Sequence, residues 1–208
     1  MVSSPIAPRT RRRPEERRAE IIAEAASIAL GEGLERITVR AVAERLGVRP
    51  GLITHYFPAV EDLVIAAFVQ AIAHEREELI PAEGDPMQRM AQLVSRAEGP
   101  ESRELSRLWL NARHLSRFRP ALAEALEEQE AIDRDRLVEL IEAAIVAGDV
   151  TEGVDPLAAC IRILIAVDGV GAYANDPGAF EHDAYGHFVA DVAEWALGLR
   201  AGALRRGG

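Results

Sequence analysis

Between residues 38 and 58 the chain is punctuated so tightly that it allows few conformations. Thr38 can accept a hydrogen bond from a free backbone N–H and so open a helix, and Ile37 can pack on Val42 as a hydrophobic staple. Val39, Val42, Ala43 and Leu46 make one apolar face, and Gly47 ends the helix. Only Val48 and Arg49 separate Gly47 from Pro50, whose fixed φ suits the first position of a new helix. Pro58 forbids that helix from continuing past Tyr56. Two short helices across a two-residue turn leave no room for a strand pair.

A third helix precedes them. Pro14, Glu15 and Glu16 suit a helix start, and Ile21, Ile22, Ala25, Ile28 and Ala29 recur at helical spacing up to about Leu30. Gly31 and Gly33 then stop it. A helix pair with a third helix behind it is a helix-turn-helix, whose second helix has the width of the DNA major groove. Charge supports that polarity. Residues 1–60 carry ten arginines and seven acids, while the whole chain has a formal charge of −10, so residues 61–208 stand at −13. A basic front on an acidic protein suggests that only the front meets a polyanion.

The stretch TVRAVAERLGVRPGLITHYFP, followed by AVEDLVIAAF, resembles the DNA-binding domain of the TetR family of transcriptional regulators over residues 15–75. The run GLITHYF is most similar to the betaine/choline-pathway repressors. From the residues themselves, the polar groups on the helix that starts at Pro50 would read DNA. Arg49 and Thr54 are placed to reach base edges, and His55 and Tyr56 to touch phosphates. Gly51 has no side chain and lets the backbone approach the duplex. Thr38 and Arg40 would contact phosphate at a helix N-terminus. Arg11, Arg12 and Arg13 suit a disordered basic arm, residues 1–13, that reaches the minor groove. Two positions depart from the family pattern. Arg49 stands where a capping serine or threonine is usual, and Val60 where a phosphate-binding lysine is common.

The remainder reads as all-α, about nine helices in total, with the helix-turn-helix domain at 14–59, a larger helical ligand-binding and dimerisation domain at 60–203 and a frayed tail. Its helices are expected at about Val60–Leu79, Met87–Ala97, Glu101–Phe118, Pro120–Ala147 and Phe180–Leu199. Residues 156–175 admit two readings, since Asp168-Gly169 between apolar runs also suits a β-hairpin. A buried helix is preferred because the surroundings are helical and the family has one there. Arg162 and Asp168 interrupt that apolar run and should need partners.

The resemblance implies a homodimer formed through the helices at 156–175 and 180–199, binding a palindromic double-stranded operator. It also implies a small-molecule effector, of unknown identity, held among the middle helices. Candidate lining residues are Phe68, Trp109, Asn111, Arg113, His114, Phe118 and Tyr173. Repression is the expected outcome, in a bacterial cytoplasm.

Other classes fit poorly. No phosphate-binding glycine loop is present, and the His74-Glu75 segment lacks the second histidine of a zinc protease helix. The single cysteine, Cys160, lies in an apolar run and reads as an inert core residue. No catalytic residue, metal site or cofactor is expected, and no apolar run has the length of a membrane span. The alternative reading is a helical interaction protein that has lost specific DNA binding.

Overall fold

The computed structural model describes residues 13–80, 83–176 and 182–205. Among these it is all helical, with ten α-helices and no strand. Helices α1 (Pro14–Glu32), α2 (Val39–Leu46) and α3 (Pro50–Tyr56) form the head, with one 3-10 turn, Leu34–Arg36, between the first two. Helix α4 (Val60–Leu79) leads away from it to α5 (Pro86–Glu98), α6 (Ser102–Ser116), α7 (Pro120–Ala147) and α8 (Pro156–Gly171). Two short helices follow, α9 (Asp183–Gly186) and α10 (Phe188–Leu197).

Local chemistry sets most boundaries. The Thr38 hydroxyl accepts from the Ala41 N–H at 3.0 Å, and Ile37 and Val42 are both buried beside it. Gly47 ends α2 in the left-handed conformation, φ 63°, which glycine adopts without a Cβ penalty. Asp85 and Asp155 cap α5 and α8 through their carboxylates, at 2.9 and 3.1 Å.

Two cores result. The first joins α1–α3 to the front half of α4, to Leu108 and Ala112 of α6, and to Leu122 and Leu126 of α7. The second joins α5, the rear of α7, α8 and α10. Helix α4 therefore packs on the head at one end and on the body at the other. Its rear half is held by charge. Arg76, only 6% exposed, pairs with Asp133 of α7 and donates to the Gln129 carbonyl and side chain at 3.2 and 3.0 Å. Glu77 accepts from Arg136 at 2.6 Å and Glu78 from Arg96 at 2.8 Å.

The structure bears out one preferred reading and corrects two expectations. Residues 156–171 are one continuous helix, which removes the hairpin reading; Asp168-Gly169 lies inside it. The expected helix Phe180–Leu199 is broken at His187 into α9 and α10, and Phe180 lies outside the described residues. Glu98 of α5 fills the break, accepting the Ala190 N–H at 2.9 Å at the start of α10. The tail is docked as far as Arg205. Leu204 is buried because Glu194, itself 3% exposed, accepts the N–H groups of Gly202 and Leu204 at 2.7 and 2.8 Å.

Cys160 is buried and faces the Arg134 carbonyl, and burial pushes its thiol up to about 11. The thiolate is the nucleophile, so the folded protein should resist an aromatic disulfide reagent at pH 8 and react fully in denaturant. Rapid reaction of the native protein would contradict this placement.

Candidate nucleic-acid interface and effector cavity

Helix α3 is held from one side only. Ile53 and the following Phe57 are buried, and Arg18 of α1 lies over the Phe57 ring at 4.9 Å. The opposite side, Arg49, Pro50, Gly51, Thr54 and His55, is exposed. Tyr56 is half-buried, packed partly on the core and edge-on to His55 at 5.3 Å. The N-terminus of α3 has no side-chain cap; Arg49 occupies that position without bonding back to the helix. Thr54 turns its hydroxyl toward the Pro50 carbonyl, at 3.4 Å.

Gly51 is informative. A Cβ built there would meet nothing within 4 Å, and the residue sits in ordinary helical backbone. Neither sterics nor conformation within the chain requires a glycine, although glycine in a helix costs about 0.5–1 kcal/mol relative to alanine.

The remaining predicted head residues are placed as follows. Thr38 uses its hydroxyl oxygen to cap α2 and keeps its O–H to donate outward. Arg40 bonds Glu44 on its own helix at 2.7 Å, and that partner raises its pKa. Arg13 stands at the start of α1, tied to Glu16 by its backbone N–H (3.1 Å) and its Nε (2.8 Å). Arg11 and Arg12 lie outside the described residues.

A cavity of about 320 Å³ opens among α4, α5, α6, α7 and α8. Of the seven candidate lining residues, Trp109 and Arg113 border it. Phe68 stands behind Trp109, edge-on at 5.6 Å, wholly buried in the first core. Asn111 faces away, toward the head, where its Oδ1 accepts the Leu34 N–H and its Nδ2 donates to Glu35, both at 2.8 Å. His114 and Phe118 pair edge-on at the exposed end of α6, and Tyr173 pairs with Tyr185 on the surface beyond α8. These five are outside the cavity wall: Asn111 and His114 lie off the one stripe that α6 turns toward it, Phe68 is covered by Trp109, and Phe118 and Tyr173 lie past the ends of α6 and α8. The rest of the wall is Leu79, Ile80, Leu93, Ala97, Leu105, Leu110, Leu164, Val167 and Gly171, with Ser102, Ser106, Glu130, Asp133, Arg134 and Asp168 as its polar members. Leucine, isoleucine and valine at helical spacing carry no sequence mark that separates cavity from core, so these were not legible beforehand.

Asp168 and Arg162 both find partners. Asp168 accepts from Arg113 at 2.9 Å at the cavity, and Arg162 lies over the Trp195 ring at 4.9 Å, joining α8 to α10. Around that stack the surface is apolar. Of nine exposed large apolar side chains among the described residues, Leu157, Ile161 and Ile165 of α8 and Phe188 and Trp195 of α10 belong to these two helices. Leu157, Ile161 and Ile165 lie four residues apart and form one stripe.

Residues 21–67 match the family model described as bacterial regulatory proteins, tetR family. Over that stretch the head is similar to the heads of this family. No curated protein matches the chain. Among solved structures, it is similar to a TetR-family transcriptional regulator from Rhodococcus sp., at 23% identity, covering 88% of this chain and 99% of that one, with a TM-score of 0.73. It is also similar to a transcriptional regulator from Saccharomonospora viridis in complex with choline (19% identity, 86% and 96% covered, TM-score 0.71). A third is FadR from Bacillus subtilis in complex with stearoyl-CoA (19% identity, 86% and 97% covered, TM-score 0.65). The TetR-like fold therefore extends over the body as well as the head. Among the described residues no single helix is long and apolar enough to cross a membrane.

Proposed function

We propose that the protein is a sequence-specific DNA-binding repressor that acts as a symmetric pair and leaves a palindromic operator when a small molecule enters the cavity. The observation that carries this is α3, anchored through Ile53 and Phe57 while its polar side is uncovered. In the proposed complex that side enters the major groove. Arg49 and Thr54 face base edges, His55 and Tyr56 approach phosphates, Pro50 and Gly51 let the backbone come close, and Thr38 and Arg40 meet phosphate beside α2. Arg40 then exchanges Glu44 for a phosphate, a step that favours low salt. Arg11 and Arg12, with Arg13, supply the minor-groove arm. The GLITHYF run and the choline-bound neighbour support a relation to betaine/choline-pathway repressors.

A single head binds weakly, and the apolar stripe on α8 and α10 supplies the second copy. Buried against its twin, it sets two recognition helices roughly one helical turn of DNA, ~34–36 Å or more, apart. The effector acts by preference between two states: operator affinity falls by the ratio of its affinities for them. Helix α4 is the connection, since its front packs on the head while Leu79 and Ile80 at its rear line the cavity.

The test is a mobility-shift titration of the DNA flanking the gene, at two salt concentrations, against a scrambled duplex. Salt-sensitive, selective binding is expected; equal binding to both duplexes, or none, refutes the reading. Gly51→Ala separates folding from function in the same assay. It is expected to stabilise the head by about 0.5–1 kcal/mol in denaturant titration. It should also weaken operator binding about tenfold, because the methyl group stands between backbone and duplex. A variant that gains stability and keeps full affinity would remove Gly51 from the interface.

A further inference from the structure

We propose that the cavity selects a hydrophobic organic ammonium ion, a positively charged amine carrying an apolar tail. This rests on the effector reading above and names the ligand's class. The tail is specified by the wall, which is mostly aliphatic from Leu79, Leu93, Leu105, Leu110, Leu164 and Val167.

The charge follows from how the polar wall is already used. Arg113 donates its Nε to Glu130 at 3.0 Å and its Nη1 to Asp168 at 2.9 Å, with its guanidinium over Trp109 at 5.4 Å. One cation thus serves two carboxylates, and each carboxylate bonds it through a single oxygen. The other charges around the cavity are matched: Arg76 pairs with Asp133, Arg134 with Asp135, and Arg136 with Glu77. One negative charge is left over, shared by Glu130 and Asp168 beside the Trp109 ring. A ligand carboxylate would meet that surplus negative charge and be repelled by it. Arg113 is engaged on both edges, and Ser102 donates to the Ala97 and Gly99 carbonyls. An ammonium ion finds the second oxygens of two carboxylates, beside an aliphatic wall that takes its tail.

The experiment is calorimetric titration of the full chain at pH 7 with three probes of one chain length: octylammonium, 1-octanol and octanoate. Octylammonium is expected to bind about tenfold more tightly than 1-octanol, with octanoate weakest. Glu130→Gln and Asp168→Asn should each erase most of that preference while leaving 1-octanol binding unchanged, which a merely structural role would not do. Equal binding of amine and alcohol, or tightest binding of octanoate, overturns the proposal. Operator binding is measured on the same samples. Selective DNA binding without an amine preference refutes the ligand class and leaves the regulator standing. Amine preference without DNA binding supports the ligand class and refutes the regulator.

Discussion

Ile165→Asp is expected to make the protein a monomer and to weaken operator binding a hundredfold or more. Ile165 is 65% exposed on the outer stripe of α8, so the substitution removes little from the fold of one chain. In the proposed pair the same position lies against the second copy, where an unpaired carboxylate costs several kcal/mol to desolvate. Without the pair each head binds alone, and the gain from tethering two modules, roughly 10²–10⁴, is lost. Light scattering gives the mass and mobility shift the affinity, while thermal unfolding should be nearly unchanged at low protein concentration. A variant that remains a dimer with full operator affinity would place the interface elsewhere.

The second large effect is on stability. Asp133→Ala is expected to cost about 3 kcal/mol, because it leaves the buried Arg76 guanidinium with only its Gln129 contacts. The double variant Arg76→Met with Asp133→Leu should recover most of that loss, since it removes both desolvation penalties and keeps the volume. Urea titration of the single and double variants checks both statements. If Asp133→Ala costs less than about 1 kcal/mol, the pair is not what fixes α4 on α7.

The head was legible because its signals are local. Thr38, Gly47, Pro50 and Pro58 each act on backbone within a few residues, so the lengths of α2 and α3 follow from residue chemistry alone. Helix α8 was preferred over the hairpin suggested by Asp168-Gly169, but the exposure of Leu157, Ile161 and Ile165 on it was shown only by the packed structure. Where the reading of the later elements failed, the deciding partner was distant in sequence. Glu98 lies ninety-two residues before Ala190, and no pattern within α10 announces that its N-terminus is covered by α5. Leu204 looked like part of a frayed end, since one leucine among Gly, Ala and Arg has no periodicity; Glu194 gives it a place.

The cavity shows the same division. Trp109 and Arg113 stood out by residue type, and the structure sets both in the wall. Asn111 stood out equally, yet it bonds Leu34, seventy-seven residues away, and faces the head. The amino-acid order by itself determined the helices of the head, their ends and the uncovered polar side of α3, because caps, glycines, prolines and 3.6-residue spacing act within a turn or two of backbone. Tertiary structure alone decided which side of α6 faces the cavity, how Arg113 is shared between Glu130 and Asp168, and where α4 is bolted down, because those contacts exist only when helices far apart in the chain are packed together.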